Sequence, residues 1–339
     1  MTTDQPKLAV VISCYNYDNY VEHAIRSVTD QNRDDCEIVV VDDGSTDNSW
    51  DVIQKTGVRA FKTENKGQPH ACLYGLGQTT APFVMFLDAD DELKPGSIAK
   101  IIDHLDPEVA KIQFTLTRID ADGNVIGEER LASKAYRSRD DLARQVLKTG
   151  VYRSPPTSGN VFRRDVCELL NDCSYDTAVD GVIVFAAPFM GDVVNISEAL
   201  GNYRVHNRNK SGLGRKPDVD VIAKHIRRFE QRMDHLRRII PPAAWNGNLV
   251  DAKQTYYHQE RSFFLSIASG RKPQGSALAK LLMKLTTQDF SLKNKAGMAV
   301  FFTLASVLSI DRAQALLAYR LNVGNRSPMG FLQLIFKGA

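Results

Sequence analysis

Unbroken apolar runs, each ending in a burst of polar residues, set the pattern of the first ninety positions. Leu8 to Ser13 (LAVVIS), Glu37 to Val41 (EIVVV) and Phe83 to Leu87 (FVMFL) show no alternation, as expected of strands covered on both faces. Val58 to Phe61 predicts a shorter strand between the second and third of these runs. Helical spacing fills the gaps. Val21, Ala24, Ile25 and Val28 predict a helix over 19–30, and Trp50, Val52 and Ile53 a second, with Ser45 or Thr46 as its N-cap. A third runs through Ala71, Leu73 and Leu76 after the break at Asn65-Lys66-Gly67. Strand and helix alternating four times call for a mainly parallel sheet flanked by helices. Such sheets take ligands beyond the carboxyl ends of their strands, near the point where strand order reverses. The polar bursts SCYN, DDGSTD and DADD all fall at such ends, which puts them on one rim.

Beyond Asp91 the pattern changes. Ile112, Phe114 and Leu116 alternate with polar residues, and Asp122-Gly123 precedes Val125 and Ile126, which predicts an antiparallel extension closed by a hairpin. A helix is expected over 139–148, then a proline-rich loop from Ser154 to Ser158, then a strand end running into a helix at GNVFRRDVCELL. Asp180 to Met190 reads as a further helix, and Val193 to Tyr203 as a return to the core. The polar segment NYRVHNRNKSG closes this part, giving a division into 1–214 and a helical region, 215–339. In the latter, Ile222, Ile226, Phe229, Met233, Leu236 and Ile240 form a helical seam, with Arg227, Arg228, Arg232, Arg237 and Arg238 off it. A solvated basic flank, an oligomer contact and a membrane-surface contact are all open readings of that helix.

Composition narrows the class. The chain has 339 residues, 43% hydrophobic and 24% charged, which fits folded domains and leaves no case for disorder. Its net charge of +3 gives no reason to expect nucleic acid as a partner. Five cysteines without a CxxC pair fit a reducing, cytoplasmic setting, and MTTDQPK has no signal-peptide pattern. The uncharged stretch from Ala296 to Ile310 is shorter than the ~20 apolar residues that span a bilayer, so any membrane contact is expected to be peripheral.

The chemistry concentrates in FVMFLDADD. In extended backbone, side chains two apart point the same way, so Asp88 and Asp90 are placed to grip a divalent cation such as Mg²⁺ or Mn²⁺. The competing reading is a solvated turn whose acids favour a helix start near Pro95. Taken in order, VVISCYNYDNYVEHAIRSVTDQ, EIVVVDDGSTDNS, ENKGQPHA and FLDADDELKPGSI resemble glycosyltransferase family 2, over roughly the first 210 residues. That family has the GT-A fold, so the resemblance implies an α/β, Rossmann-like and mostly parallel sheet with an antiparallel extension, followed here by a helical C-terminal region.

By the same resemblance, Tyr15 stacks on the nucleobase with Ser13 supporting its edge, Asp43 accepts from a uracil imide, and Gly67 lets backbone approach the donor. Asp42 is the alternative turn former. Asp88 and Asp90 are the implied donor and metal residues, with Mn²⁺ or Mg²⁺ as cofactor, and His206 in NYRVHN completes the metal or diphosphate site. Asp180 matches the family's acceptor base, although Val179 stands where a glutamate is usual; an N-cap is its alternative. Ser158 and Gly159 border sugar or acceptor. The usual Arg-Asn pair is replaced by Cys72 and Leu73, which leaves the donor contacts of that pair without a counterpart. Implied throughout is an inverting, non-processive transfer from a nucleotide-diphosphate sugar, a UDP-sugar on the evidence of Asp43, to a glycan or lipid-linked acceptor. A silent nucleotide-sugar-binding module on the same fold is the alternative. A dehydrogenase is disfavoured, since no G-x-G-x-x-G follows a strand.

Overall fold

The structure, a computed structural model, describes residues 5–129, 134–175, 178–206, 218–240 and 249–321. Among the described residues, ten strands form one sheet. They are β1 Leu8–Cys14, β2 Cys36–Asp42, β3 Ala60–Lys62, β4 Phe83–Asp88, β5 Glu92–Leu93, β6 Val109–Ile119, β7 Val125–Glu129, β8 Tyr136–Ser138, β9 Asn160–Arg163 and β10 Asp192–Arg204. Their order is β3-β2-β1-β4-β9-β6-β10-β5, with β7 on β6 and β8 on β10. The first four are mutually parallel, as the continuous apolar runs require. The antiparallel extension is present: β9 lies antiparallel between β4 and β6, and β7 folds back on β6 through the Asp122-Gly123 turn.

Helices α1 Val21–Thr29, α2 Ser49–Lys55 and α3 Gln68–Gly77 connect the parallel strands. α4 Ser97–Ile102, α5 Asp140–Thr149, α6 Arg164–Glu168 and α7 Ile183–Met190 follow. On one face of the sheet, Leu8, Val10, Ile12, Met85 and Leu87 pack with Val21, Ala24 and Ile25 of α1 and Ile98 and Ile101 of α4. On the other, Val39 and Val41 meet Ala71 of α3. Each large side chain so buried contributes about 1.5–3 kcal/mol, which locks the register that sets Ser13 beside Asp88 and Cys14 beside Asp42.

Two sequence expectations need correction. α2 starts at Ser49 after Asn48, so neither Ser45 nor Thr46 caps it; the Asp47 carboxylate accepts from the Ser49 N–H at 2.9 Å instead. α7 starts at Ile183, so Asp180 lies ahead of the helix and does not cap it.

The helical region contains α8 Val219–Ile239, α9 Tyr256–Ala268, α10 Gly275–Thr286, α11 Leu292–Val307 and α12 Ile310–Leu321. Phe263, Phe264, Leu281, Leu285, Phe301, Phe302 and Leu316 form its core. Of the α8 seam, Ile222, Phe229, Met233, Leu236 and Ile240 are buried. The chain divides into two compact units, Met1–Val146, Val151–Asn207 and His235–Gly247 forming one, and Leu147–Gly150, Arg208–Asp234 and Asn248–Ala339 the other. The end of NYRVHNRNKSG and the expected 214/215 boundary lie outside the described residues. Among the described residues, no helix is long and apolar enough to cross a membrane.

Candidate active site

β1 connects outward to β2 and β3, whereas β4 returns to its other side, so strand order reverses between β1 and β4. The crevice beyond their carboxyl ends is where a doubly wound sheet takes a ligand.

β4 ends at Asp88, and the Asp91 N–H closes a turn onto the Asp88 carbonyl at 3.0 Å. This corrects the extended geometry expected for Asp88 to Asp90. The acids converge because the chain turns, and the turn brings in Asp91 as well. Carboxylate oxygens of Asp88, Asp90 and Asp91 lie within 4.8 Å of one another. Asp91 is buried, which pushes its carboxyl well above the usual range, with Asp90 and then Asp88 adding to the effect. One of its oxygens accepts from the Arg204 N–H at 2.9 Å, and the other is buried without a hydrogen-bond partner among the described residues. Three clustered carboxylates with an unmet buried oxygen suit a hard divalent cation.

His206 joins this cluster, its Nε2 lying 2.9 Å from Asp90 Oδ2. The ring packs against Tyr17 and Tyr20, with centroids 5.8 and 5.0 Å away. Burial, followed by Asp90 and Asp88, raises the Tyr17 phenol's pKa. Arg204 braces the turn from behind: its Nε donates to the Asp90 carbonyl at 3.0 Å, its guanidinium pairs with Glu92, and it lies over the Tyr20 ring. Tyr17, Tyr20, Asp91 and Arg204 were not singled out by the sequence reading. Asp91 lies inside FLDADDELKPGSI and Arg204 inside NYRVHN; the two tyrosines show only as an aromatic repeat in CYNYDNY.

Ser158 sits beneath the turn, its Oγ accepting from the Asp88 N–H at 3.1 Å, and Gln68 at the start of α3 donates to the Asp88 carboxylate. Gly159 is taken up by packing, since an added Cβ would lie 2.6 Å from Pro155 and 3.0 Å from the Phe114 carbonyl. Ser13 lies beside Asp88 in the β1–β4 register. Tyr15 is half-buried just beyond β1.

The second loop is tied to the first. The Asn16 N–H donates to Ser45 Oγ, the Asn16 side-chain oxygen accepts from the Thr46 N–H, and the Tyr17 N–H donates to Ser49 Oγ. Asn16 adopts φ 60°, which asparagine tolerates better than most residues. Asp42 accepts from the Ser45 N–H, in keeping with its turn-forming alternative. The Asp43 carboxylate accepts from the N–H groups of Lys66 and Gly67, at 2.9 and 2.8 Å. Gly67, at φ 93° and ψ 160°, uses backbone that a side chain would strain. Asp43 therefore shapes the loop before α3, and a ligand would share oxygens already engaged.

Asp180 is half-buried ahead of α7. The buried thiol of Cys72 relates it to the rim. Burial is the main cause raising that thiol's pKa, a hydrogen bond with Ser13 lowers it, and the charges of Asp88, Asp180 and Asp43 raise it further.

A reversing α/β rim that carries an acidic turn and a loop-shaping aspartate is the layout that the resemblance to GT-A glycosyltransferases implies. The family model described as glycosyl transferase family 2 matches residues 9–170. An uncharacterized glycosyltransferase of Nostoc sp. is 36% identical over 269 residues, 76% of this chain and 83% of the relative. The chain belongs to glycosyl transferase family 2. Over 130 residues, 36% of this chain and 42% of the relative, it is 32% identical to the GalNAc(5)-diNAcBac-PP-undecaprenol beta-1,3-glucosyltransferase of Campylobacter jejuni. Among solved structures, S. aureus TarS 1–349 in complex with UDP-GlcNAc has a TM-score of 0.54 at 17% identity, covering 97% of this chain and 90% of that one. The mannosyltransferase PcManGT from Pyrobaculum calidifontis, in complex with GDP-Man and Mn²⁺, has 0.52 at 18%, covering 99% and 88%. These two likenesses establish the GT-A fold.

Proposed function

We propose that the chain transfers a sugar from a nucleotide diphosphate to an acceptor hydroxyl with inversion at the anomeric carbon. The observation that carries this reading is the meeting of Asp88, Asp90 and Asp91 at the reversal point of the sheet. Asp180 takes the acceptor proton, the freed oxygen attacks the anomeric carbon, and the bond to the diphosphate oxygen breaks with its electron pair leaving on the phosphate. Mn²⁺ or Mg²⁺, held by Asp88, Asp90 and Asp91 with His206 beside them, would supply positive charge to the leaving diphosphate. Tyr15 offers a face for the base, and Arg204 keeps the acidic turn in place. Retention of Asp43, Asp88, Asp90 and Asp180 argues against a silent binding module.

UDP is favoured as the nucleotide through Asp43, and TarS bound to UDP-GlcNAc is consistent with it. Because GDP-Man occupies the other neighbour, the test compares both nucleotides. Calorimetry with UDP and GDP, with and without Mn²⁺, is expected to show metal-dependent UDP binding in the wild type and its loss in Asp90→Ala. Equal affinity of the two proteins for UDP-Mn²⁺ sinks the metal assignment.

The acceptor is read as lipid-linked, in envelope glycan synthesis, in line with the undecaprenol-linked substrate in the Campylobacter relative's name. One surface favours this. On α11, Leu292, Ala296, Val300, Thr303 and Val307 make an exposed, uncharged stripe opposite the buried Phe301, Phe302 and Ala305. Across 271–295 stand Arg271, Lys272, Lys280, Lys284, Lys293 and Lys295, against Asp289 alone. An apolar stripe bordered by bases suits an anionic bilayer surface, whereas a second copy would set like charges face to face.

A further inference from the structure

Lys111, in the first half of β6, is completely enclosed, an uncommon place for an amine. Its Nζ lies 2.7 Å from Gln113 Oε1, 2.8 Å from Ser154 Oγ and 3.1 Å from the Tyr152 hydroxyl. Each of these partners is held as an acceptor by a bond of its own. Pro188 inside α7 has no N–H for the carbonyl four residues back, that of Val184. The Tyr152 hydroxyl donates to that carbonyl at 2.7 Å, which turns its lone pairs toward Lys111. The carbonyls of Pro155, Pro156 and Thr157 draw the Asn160 amide nitrogen, leaving Asn160 Oδ1 to receive the Ser154 hydroxyl proton at 3.1 Å. Gln113 commits its own amide nitrogen to Asn195 Oδ1 and the Tyr136 hydroxyl. Three fixed acceptors call for three N–H donors, and only the ammonium form of lysine has them.

Burial opposes that form and pushes the Lys111 pKa well below its ordinary value; Asp180 acts the other way. The faces of Tyr152 and Phe162, 5.0 and 5.9 Å from Nζ, also favour a cation. Of the titratable or charged groups around Lys111, Tyr152 and Tyr136 are phenols, Arg153 offers its backbone carbonyl to Gln113, and Asp180 is the carboxylate. Hydrogen bonds connect the two residues' surroundings, because Val184, whose carbonyl holds Tyr152, donates its N–H to the Asp180 backbone carbonyl at 3.2 Å.

We propose that Lys111 is a positioning residue for Asp180, a buried ammonium fixed by Gln113, Tyr152 and Ser154 that keeps the Asp180 carboxylate ionised. Its catalytic value rests on the reading of Asp180 as the base. Asp43, Asp88 and Asp90 crowd the same rim with negative charge while no metal ion is bound. Like charges favour protonation, and a protonated base cannot accept the acceptor's proton. A cation behind α7 offsets that pressure.

The test uses the full chain without donor, so its outcome does not depend on whether sugar transfer is the right reading. Aspartate carboxyl carbons are followed by NMR against pH, the resonance missing from Asp180→Asn identifying Asp180. In folded Lys111→Gln the Asp180 midpoint is expected to rise, since losing a nearby opposite charge favours the neutral carboxyl. An unchanged midpoint overturns the proposal. Coupling is reciprocal, so the measurement can also be made from the other side if Lys111→Gln does not fold. The lysine Cε resonance protected from a paramagnetic agent in the solvent should titrate lower in Asp180→Asn than in the wild type, and equal midpoints overturn the proposal as well.

Discussion

A carboxylate that holds a ligand and one that takes a proton fail differently when neutralised. Asp180→Asn removes the proposed proton acceptor but leaves the acidic turn untouched, so nucleotide affinity by calorimetry should hold while turnover falls by ~10²–10⁴. Near-normal turnover, once a donor and acceptor are in hand, would remove Asp180 from the mechanism. Legibility at this scale followed covalent closeness. Asp88, Asp90 and Asp43 announced themselves at the ends of apolar runs. Arg204 did not, because its work on Asp90 and Glu92 joins positions more than a hundred residues apart. Lys111 was equally invisible, since a single lysine in a strand reads as an outward-facing residue, and only the loop carrying Tyr152 and Ser154 encloses it.

At the scale of elements, the loops after β1, β2 and β3 behave as one clasp: Asn16 holds Ser45 and Thr46, and Asp43 holds Lys66 and Gly67. Gly44 lies in its middle at φ 73°, and a Cβ there would stand 2.7 Å from the Asn65 nitrogen. Gly44→Ala should therefore cost about 1–3 kcal/mol, seen as a lowered unfolding midpoint together with weaker UDP-Mn²⁺ binding. Unchanged stability and affinity would show that the clasp tolerates loosening. The parallel strands were legible because burial on both faces leaves an unbroken apolar signature. The start of α2 was not, because two hydroxyl residues beside a helix looked like caps. Both are drawn instead to the neighbouring loop, a long-range contact that local propensity does not encode.

At the scale of the molecule, every residue assigned to the candidate site belongs to the sheet-bearing unit, and the core around Phe302 belongs to the other. Phe302→Ala should destabilise the helical core by about 3–5 kcal/mol yet leave the calorimetric affinity for UDP-Mn²⁺ unchanged. Loss of nucleotide binding would refute that separation. Flotation tests the basic, apolar surface of α10 and α11. The full chain should rise with anionic liposomes at low salt and stay behind with zwitterionic ones, each basic side chain near the surface being worth about 1 kcal/mol. A chain that remains in the soluble fraction in both cases leaves that face to protein packing.

The four residues of β9 have a consequence for how the molecule is made. Among the described residues, β9 is the only strand paired with both β4 and β6. During synthesis, FVMFL and the first half of β6 emerge long before Asn160 and Asp192 do, so β4 waits with one hydrogen-bonding edge bare and the first half of β6 with both. Bare, apolar edges are templates for pairing with the wrong chain. A nascent polypeptide stalled short of Asn160 thus holds a parallel half-sheet and a β6–β7 hairpin with bare edges, and the stitch between them is the step a ribosome-bound chaperone would have to guard.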